Sequence, residues 1–335
     1  MADRDATSGP INGLGTYESG MSSEVMLMLL ADARLPTGAH TQSAGLEPAL
    51  RGGMPPAQVP QYIRARLRTV TLVEAGAAVL ARAAVLDLAR PGPPAPGASP
   101  SGPDRAPTLV DTSDARADPA TSRADQLGAN VTGGTRVNDC SRAVEWGHLP
   151  ARQGLGDDPR GQGVQVGGGG AGAQGGEPGF GLAAALAEVD AAWRARTVSP
   201  ALRETSVLLG RGYVRLIRQL WPGSAGAAAL QAIGRPGRAV VVGVAAALAG
   251  LSAAQLVRLI GYDDAQTVAA ATLKLEPLDP VVATGWVMAA GVDIERMVDE
   301  VAALTDITQL PAFGAPLIEQ WAEVHATTSQ RLFRA

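Results

Sequence analysis

The sequence predicts an all-α protein: a single helical-bundle domain of about nine to ten helices, interrupted by a disordered insertion. Apolar residues recur at helical spacing, as Ile63, Leu67 and Val70 do at i, i+4 and i+7. Strand-type alternation is nearly absent, because the valine run at 240–243 lies inside an alanine-rich stretch. Residues 91–180 hold 19 Gly and 11 Pro. Such a segment buries too little apolar surface to offset its ordering entropy, so we expect it to be disordered.

The segments around this insertion define one domain. Residues 1–20 mix acids, Gly and Pro with no basic region leading into an apolar one, so we expect a disordered leader rather than a signal peptide. The remaining residues, 21–90 and 181–335, are enough for one domain. An inserted loop adds to the closure free energy only logarithmically, so a helical domain can tolerate it.

The helices are predicted from apolar spacing and from their start and stop signals. Before the insertion, the absence of a proline after residue 60 predicts one helix over 60–89. After the insertion we expect helices over 182–196, 200–221, 225–233, 238–249, 252–261, 264–276, 280–304 and 315–329.

The helix predicted over 200–221 carries two distinct faces. Leu202, Leu209 and Leu216 repeat at seven residues, which predicts one buried stripe. A different face carries three arginines, Arg211, Arg215 and Arg218.

One stretch raises the question of a membrane span. Residues 239–257 carry no charge, but Gly250-Leu251-Ser252 interrupts them. A glycine stop followed by a serine cap favours two consecutive buried helices over one span. We therefore expect a cytoplasmic protein with no membrane contact.

Composition excludes several classes of function. The net charge of -4 and pI near 5.5 give no basic footprint, so nucleic acid is not an expected partner. Cys140 is the only cysteine and His40, His148 and His325 are the only histidines, which leaves little for a metal site within one chain. There is no GxxxxGK[ST] phosphate loop. We expect no tightly bound cofactor.

The most structured polar signal is the signature segment, residues 32–47 (DARLPTGAHTQSAGLE). Pro36 is expected to end the preceding helix, Thr37-Gly38 to form a turn, and Ser43 to cap a short helix that carries Glu47. Two interpretations follow. The segment is either a polar turn between helices or a surface where an imidazole and carboxylates converge.

These residues carry a resemblance to a known family. The pattern D-x-x-L-P-T-G-x-x-x-x-S-x-G-L-E resembles the N-terminal signature of the urease accessory protein UreF family, in an actinobacterial-like variant with His40. Glu204 followed by Gly210-Arg211 is similar to that family's E-x-x-x-x-x-G-R helix. His325 followed by Arg331-Leu332-Phe333 resembles its H…RLF tail. The resemblance covers roughly 21–90 and 181–335, and the insertion lies outside it.

The resemblance implies a helical, homodimeric scaffold without a reaction of its own. Such proteins bind the accessory protein UreD or UreH, recruit the GTPase UreG and help load nickel into apo-urease, so the complex handles the nickel. It also implies that Arg331-Leu332-Phe333 is a docking peptide, with Phe333 buried in the partner. The expected partner-binding residues are Asp32, Pro36, Gly38, His40, Ser43, Gly45, Leu46, Glu47, Glu204, Arg211, Arg331, Leu332 and Phe333. A nickel site shared by two His40 side chains across a dimer is a weaker possibility.

The sequence departs from the family in two places, and two other functions stay open. Residues 272–280 stand where the family has R-L-x-P-L-G-Q, and Arg334-Ala335 replaces the closing serine. The alternatives are a helical enzyme that uses Asp32, His40 and Glu47 as an acid/base cluster, and a stand-alone nickel carrier.

Overall fold

The part of the chain that the structure describes is built from helices and contains no strand, as the sequence predicted. This computed structural model describes residues 21–38, 41–88, 178–329 and 331–333. All of them belong to one compact unit. The predicted leader and the predicted insertion, apart from residues 178–180, lie outside the described residues, so their disorder stays a prediction.

Eleven α-helices and two single-turn 3-10 segments occupy the described ranges. The α-helices are α1 (Ser23–Leu30), α2 (Leu46–Arg51), α3 (Val59–Leu67), α4 (Val70–Leu88), α5 (Pro178–Arg196), α6 (Pro200–Leu220), α7 (Ala225–Ile233), α8 (Arg238–Leu248), α9 (Ala253–Leu275), α10 (Pro280–Val301) and α11 (Pro316–Thr327). The 3-10 segments are Pro56–Gln58 and Ile307–Gln309. Serine side chains cap α6, α7 and α9 by accepting an amide hydrogen bond from the first turn.

The single helix predicted over 60–89 is wrong, because the chain breaks between α3 and α4. The Thr69 hydroxyl donates to the Ala65 carbonyl at 2.6 Å, and the Thr69 amide donates to Arg66 O at 3.0 Å. A threonine that bonds back to the preceding turn competes with the α-helical ladder. The last turn of α3 therefore tightens, and α4 starts afresh at Val70.

The two helices predicted over 252–261 and 264–276 form one continuous helix, α9. Gly261 lies in its interior rather than at a stop. A Cβ at Gly261 would come within 2.9 Å of the Ile294 side chain on α10. The glycine is thus explained by close packing between two helices, not by a turn.

The centre of the core is the contact between α4 and α8. A Cβ on Gly243 of α8 would overlap the carbonyl oxygen of Ala78, so the two backbones approach more closely than a larger residue allows. After α8, Gly250 adopts a φ of +70° and Ser252 caps α9. The uncharged stretch 239–257 therefore forms two helices, as predicted.

One helical run, Pro56–Leu88, has the length and composition of a membrane span. More than half of its most apolar window is buried inside the fold. The core helices of soluble proteins have the same composition, so this run is explained by the core contacts of α4.

Helix α6 does bury one face, but not through the three leucines that were predicted to form it. Leu202, Leu209 and Leu216 are only half-buried. The fully buried face instead includes small and polar residues, among them Ser206 and Gly210, because Ser206 Oγ accepts the backbone amide of residue 238 at 2.8 Å. The three arginines lie on a different face, as predicted, and that face is exposed.

Candidate functional site

The first half of the signature segment forms a tight turn after α1. The helix ends at Leu30, well before Pro36, so the expectation that Pro36 ends it is wrong. Asp32 O accepts the Leu35 amide at 2.9 Å, Leu35 O accepts the Thr37 amide at 2.7 Å, and Gly38 follows with a φ of +84°. Glycine is favoured there because other residues resist a left-handed φ.

The second half of the segment positions α2, though not through Ser43. That serine is buried, and the helix is capped instead by Gly45, whose φ is +78°. A Cβ on Gly45 would lie 2.9 Å from Tyr62 Oη. Tyr62 Oη and Arg66 Nη1 both donate to the carbonyl of Ala44, at 2.5 and 2.9 Å. The left-handed turn is thus held by α3, so Glu47 points into the fold.

Glu47 joins the signature segment to the tail. Its side chain has no exposure to solvent, and its two carboxylate oxygens accept the backbone amides of Leu332 and Phe333, at 2.7 and 2.9 Å. Arg51 Nη2 completes the site at 2.8 Å from Glu47 Oε1. A buried carboxylate with charge-assisted bonds of this kind is a strong local constraint. Two segments 285 residues apart in sequence are therefore one structural feature.

The tail packs against its own chain, which corrects the expectation that Phe333 is buried in a partner. Phe333 is 4% exposed, and Lys274 Nζ lies 5.1 Å from the centre of its ring. Arg331 Nη1 donates to His325 O at 3.2 Å. The physical reason is Glu47, which satisfies the tail amides inside the fold. Leu332 faces outward and is 60% exposed.

His325 is a buried, neutral member of the tail contact. Its Nε2 lies 3.2 Å from Phe333 O, and since a carbonyl only accepts, Nε2 carries the proton. Burial lowers the pKa of His325 below its ordinary value of 6.5, although the Phe333 carbonyl and Glu47 act in the opposite direction. The imidazole is therefore a structural donor at neutral pH.

Asp32 and Glu47, the two carboxylates of the acid/base alternative, each bind a different partner. Arg34 binds both oxygens of Asp32, and these hydrogen bonds lower the pKa of Asp32 to about 2. Glu47 is occupied by the tail. His40 lies outside the described residues. Within those residues, no group of three or more His, Cys, Asp or Glu side chains could hold a metal ion.

The α6 residues of the resemblance lie on the surface beside the signature turn. Glu204 is exposed and pairs with Arg235 at 2.8 Å. Arg211 is also exposed. Its neighbour Gly212 packs directly on the turn, where a Cβ would fall 2.6 Å from the Thr37 Cα. Helix α6 and the signature turn therefore form one surface.

A cavity of about 310 Å³ lies where the three segments of the resemblance meet. Gln42 and Gly45 line it from the signature segment, Glu204 from α6, and His325 and Arg331 from the tail region. The side-chain oxygen of Gln42 is buried there without a hydrogen-bond partner among the described residues.

Sequence reasoning missed the buried ion network on the cavity's inner wall. Arg66 pairs with Asp264 at 2.6 Å, and Arg238 pairs with Glu74 at 2.9 Å and with a second carboxylate, Asp263, at 2.6 Å. Burial raises the pKa of Glu74 and of Asp263. Burial also opposes the charge of Arg238, but its two carboxylate partners outweigh this and raise its pKa. The sequence signal for this network was that Glu74 and Arg238 lie beside apolar runs, in α4 and α8.

Comparisons with known proteins identify the family of this chain. The UreF family model matches residues 180–291. A urease accessory protein UreF of Mycobacterium tuberculosis (strain H37Rv) is 32% identical over 151 residues, which are 44% of this chain and 67% of the relative. The chain belongs to the UreF family.

Two further UreF proteins show how far the likeness extends. The UreF of Mycobacterium sp. (strain JLS) is 35% identical over 154 residues, 45% of this chain and 66% of the relative. The UreF of Mycolicibacterium vanbaalenii is 26% identical over 319 residues, 93% of this chain and 99% of the relative. The matches to the JLS protein and to the UreF of Mycobacterium marinum span just under two thirds of those relatives. The UreF resemblance carried by the motifs is thereby confirmed.

Proposed function

We propose that this UreF-family chain is a non-catalytic adaptor of urease maturation. It assembles with a UreD/UreH-like accessory protein and the GTPase UreG, and the complex inserts nickel into apo-urease. Nickel is the cargo of the complex, and this chain holds no tight cofactor of its own. The adaptor works as a homodimer in the cytoplasm.

The observation that supports this proposal best is the convergence of three distant segments on one side of the fold. The signature segment, α6 and the tail line one cavity, and Glu47 bonds the first of them to the last. Around this junction lie exposed groups of different chemistry, including Leu332, Glu204 and Arg211. A rigid surface with an apolar anchor and a charged rim is typical of a protein-binding site.

The same geometry is a poor acid/base site. A general base needs a carboxylate that is free to take a proton within hydrogen-bond reach of its substrate. Glu47 already accepts hydrogen bonds from two amides and pairs with Arg51, and the hydrogen bonds from Arg34 lower the pKa of Asp32, so that its carboxylate is a weak base. The stand-alone nickel carrier is tested separately, because it requires a defined nickel stoichiometry in the purified chain without partners.

The test is co-purification of the full chain with UreD-like and UreG-like proteins, with the mass of the complex measured by light scattering. We expect a complex that contains all three proteins. Removing residues 329–335 is expected to abolish capture of the UreD-like protein. Absence of a complex under every nucleotide and nickel condition would refute the adaptor.

Two point variants distinguish a direct contact between Leu332 and the partner from an indirect effect of the tail's packing on its own chain. Leu332→Asp changes an exposed side chain, so it is expected to lose capture with an unchanged melting temperature. Phe333→Ala is expected to weaken capture while leaving the helical fold intact, since it loosens only the tail. Val292→Asp is the control and retains capture, because Val292 is 72% exposed on α10 and no residue of that helix lines the cavity. If both tail variants still capture the UreD-like protein, the tail is not the binding site, but the proposal that the chain is an adaptor stands.

A further inference from the structure

The exposed face of α6 carries a row of three arginines, Arg211, Arg215 and Arg218. Their spacings of four and three residues place them on one side of the helix, over about 10 Å of its axis. Among the described residues, none of the three makes an ion pair or a side-chain hydrogen bond. Every other arginine of the described residues binds a carboxylate or a backbone carbonyl. We call the three residues the α6 arginine row.

The surrounding fold does not neutralise this row. No Asp or Glu occurs in residues 205–262, so the rest of α6 and the helices α7 and α8 that pack against it supply no carboxylate. Glu204, the only acid of α6, pairs with Arg235. Glu323 of α11 accepts a backbone amide at the start of α6, and Asp32 of the signature turn binds its own arginine. The nearby carboxylates are therefore engaged elsewhere.

An unpaired row of this kind is unfavourable in the free chain. Like charges three or four residues apart on a helix repel one another and lower its stability. The chain as a whole has a net charge of -4, so the row is opposite in sign to the molecule that carries it. A local patch of one charge is typical of a surface that meets the opposite charge in a complex.

The chemistry of the face favours a carboxylate partner. The planar guanidinium group binds a carboxylate through two parallel hydrogen bonds. Leu208 lies one turn before Arg211 on the same face, is 42% exposed and lines the cavity, so it offers an apolar contact beside the charges. Tyr213, the only aromatic residue of α6, is buried, so the face has no platform on which nucleic-acid bases could stack.

We propose that the α6 arginine row binds an acidic helix of a partner protein. The carboxylates of that helix repeat at spacings of four and three residues, and an apolar side chain beside them packs on Leu208. This inference rests on the proposed function, because it names the chemistry of one partner surface that the adaptor binds. It gives Arg215 and Arg218 a role, whereas the motif resemblance reached only Arg211.

Fluorescence anisotropy of a labelled peptide with the full chain tests the row. The probe is an alanine-based peptide of about 20 residues, long enough to be helical, with glutamates at the matching spacings and leucines beside them. We expect binding that weakens as the salt concentration rises, because the row is exposed. An isomer with its glutamates distributed around the helix is expected to bind at least about fivefold more weakly. Equal binding of the two peptides would overturn the proposal.

Arg215→Glu changes the centre of the row. It is expected to weaken peptide binding at least about fivefold, since one ion pair is lost and one repulsion is added. The same variant is expected to raise the melting temperature, because the new carboxylate pairs with Arg211 and Arg218 within the helix. A lower melting temperature would show that Arg215 has a partner in the fold, which contradicts an unpaired row.

Arg296→Glu on α10 is the matched control, because it changes the net charge by the same amount. Its partner Asp293 keeps two other arginines, Arg64 and Arg68. Peptide binding is expected to be unchanged. An equal loss in Arg215→Glu and Arg296→Glu would show that overall charge drives binding, which overturns the row. Tighter binding of a single-stranded oligonucleotide of equal charge would also overturn it, since the row would then be a nucleic-acid site.

The row and the adaptor can fail separately. Peptide binding uses the chain alone, and capture of the UreD-like and UreG-like proteins is measured on the same variants. We expect Arg215→Glu to lose capture of one of them and Arg296→Glu to keep both. Capture of both proteins by Arg215→Glu leaves the adaptor in place and overturns the row. Peptide binding without any complex leaves the row in place and refutes the adaptor.

Discussion

Glu47 is the single residue on which the tail contact depends most directly. Glu47→Gln keeps the volume but removes the charge that Arg51 and the two tail amides contact. Hydrogen bonds to charged groups are worth about 1.5–3 kcal/mol each, so we expect a loss of about 2–4 kcal/mol in unfolding free energy. The amides of Leu332 and Phe333 are expected to lose protection in hydrogen exchange.

A matched control exists in Glu295, a surface carboxylate paired with Arg258. Glu295→Gln is expected to change the unfolding free energy by less than about 1 kcal/mol, because exposed ion pairs contribute little. Unchanged tail protection in Glu47→Gln would show that the carboxylate does not hold the tail.

His325 is expected to make the tail contact sensitive to acid. Because burial lowers its pKa in the folded chain, the unfolded chain binds more protons between that lowered value and 6.5. Its contribution to stability is therefore complete above about pH 6.5 and is lost as the pH falls through that window. Urea unfolding between about pH 7.5 and 5.5 measures the slope. His325→Gln is expected to reduce that slope, and identical slopes would contradict the assignment.

The chemistry of these residues was only partly predictable from sequence. Glu47 stood out as part of a polar segment, and the motif implied that it belongs to a binding surface. Its burial could not be foreseen, because its donors come from residues 332 and 333 and no local pattern links them. The same holds for Arg66 and Asp264, which lie 198 residues apart and bond inside the core.

Helix α6 packs directly against the backbone of the signature turn and fixes how closely the two can approach. A Cβ at Gly212 would fall 2.6 Å from the Thr37 Cα, so one of the two backbones would have to move to accommodate it. Gly212→Ala is therefore expected to lower the unfolding free energy by about 1–3 kcal/mol through overpacking. Gly181→Ala in α5, where a Cβ meets nothing within 4 Å, is expected to stabilise by up to about 1 kcal/mol. Urea midpoints shifting in the same direction for both would contradict the close contact.

The helices were more predictable than their ends. Apolar spacing, with Pro200 as a start signal, predicted α6 to α8 almost at their observed bounds, because those signals are local. The break at Thr69 was missed because it depends on one threonine hydroxyl that bonds back to Ala65 O, which the apolar spacing does not show. The continuity through Gly261 was missed because it depends on close packing against Ile294 of α10. The exposure of Val281, Met288 and Val292 on α10 could not be predicted either. Periodicity identifies an apolar row on a helix but does not show whether another element covers it.

The molecule as a whole offers a test of the predicted insertion. Replacing residues 94–173 by a Gly/Ser linker of about twelve residues shortens a closed loop, which is expected to raise the unfolding free energy by about 1–2 kcal/mol. Circular dichroism is expected to show the same number of helical residues per chain. Loss of folding would show instead that the segment contributes to the core.

The Glu47–tail contact also has a consequence for synthesis of the chain. A ribosome releases Glu47 early, and its two amide donors emerge only when residues 332 and 333 have been added. Until then the carboxylate has no backbone donors, and the cavity wall built from the tail is missing. Any nascent or prematurely terminated polypeptide thus lacks this surface. Recognition of the junction would therefore distinguish chains translated through residue 333 from shorter products.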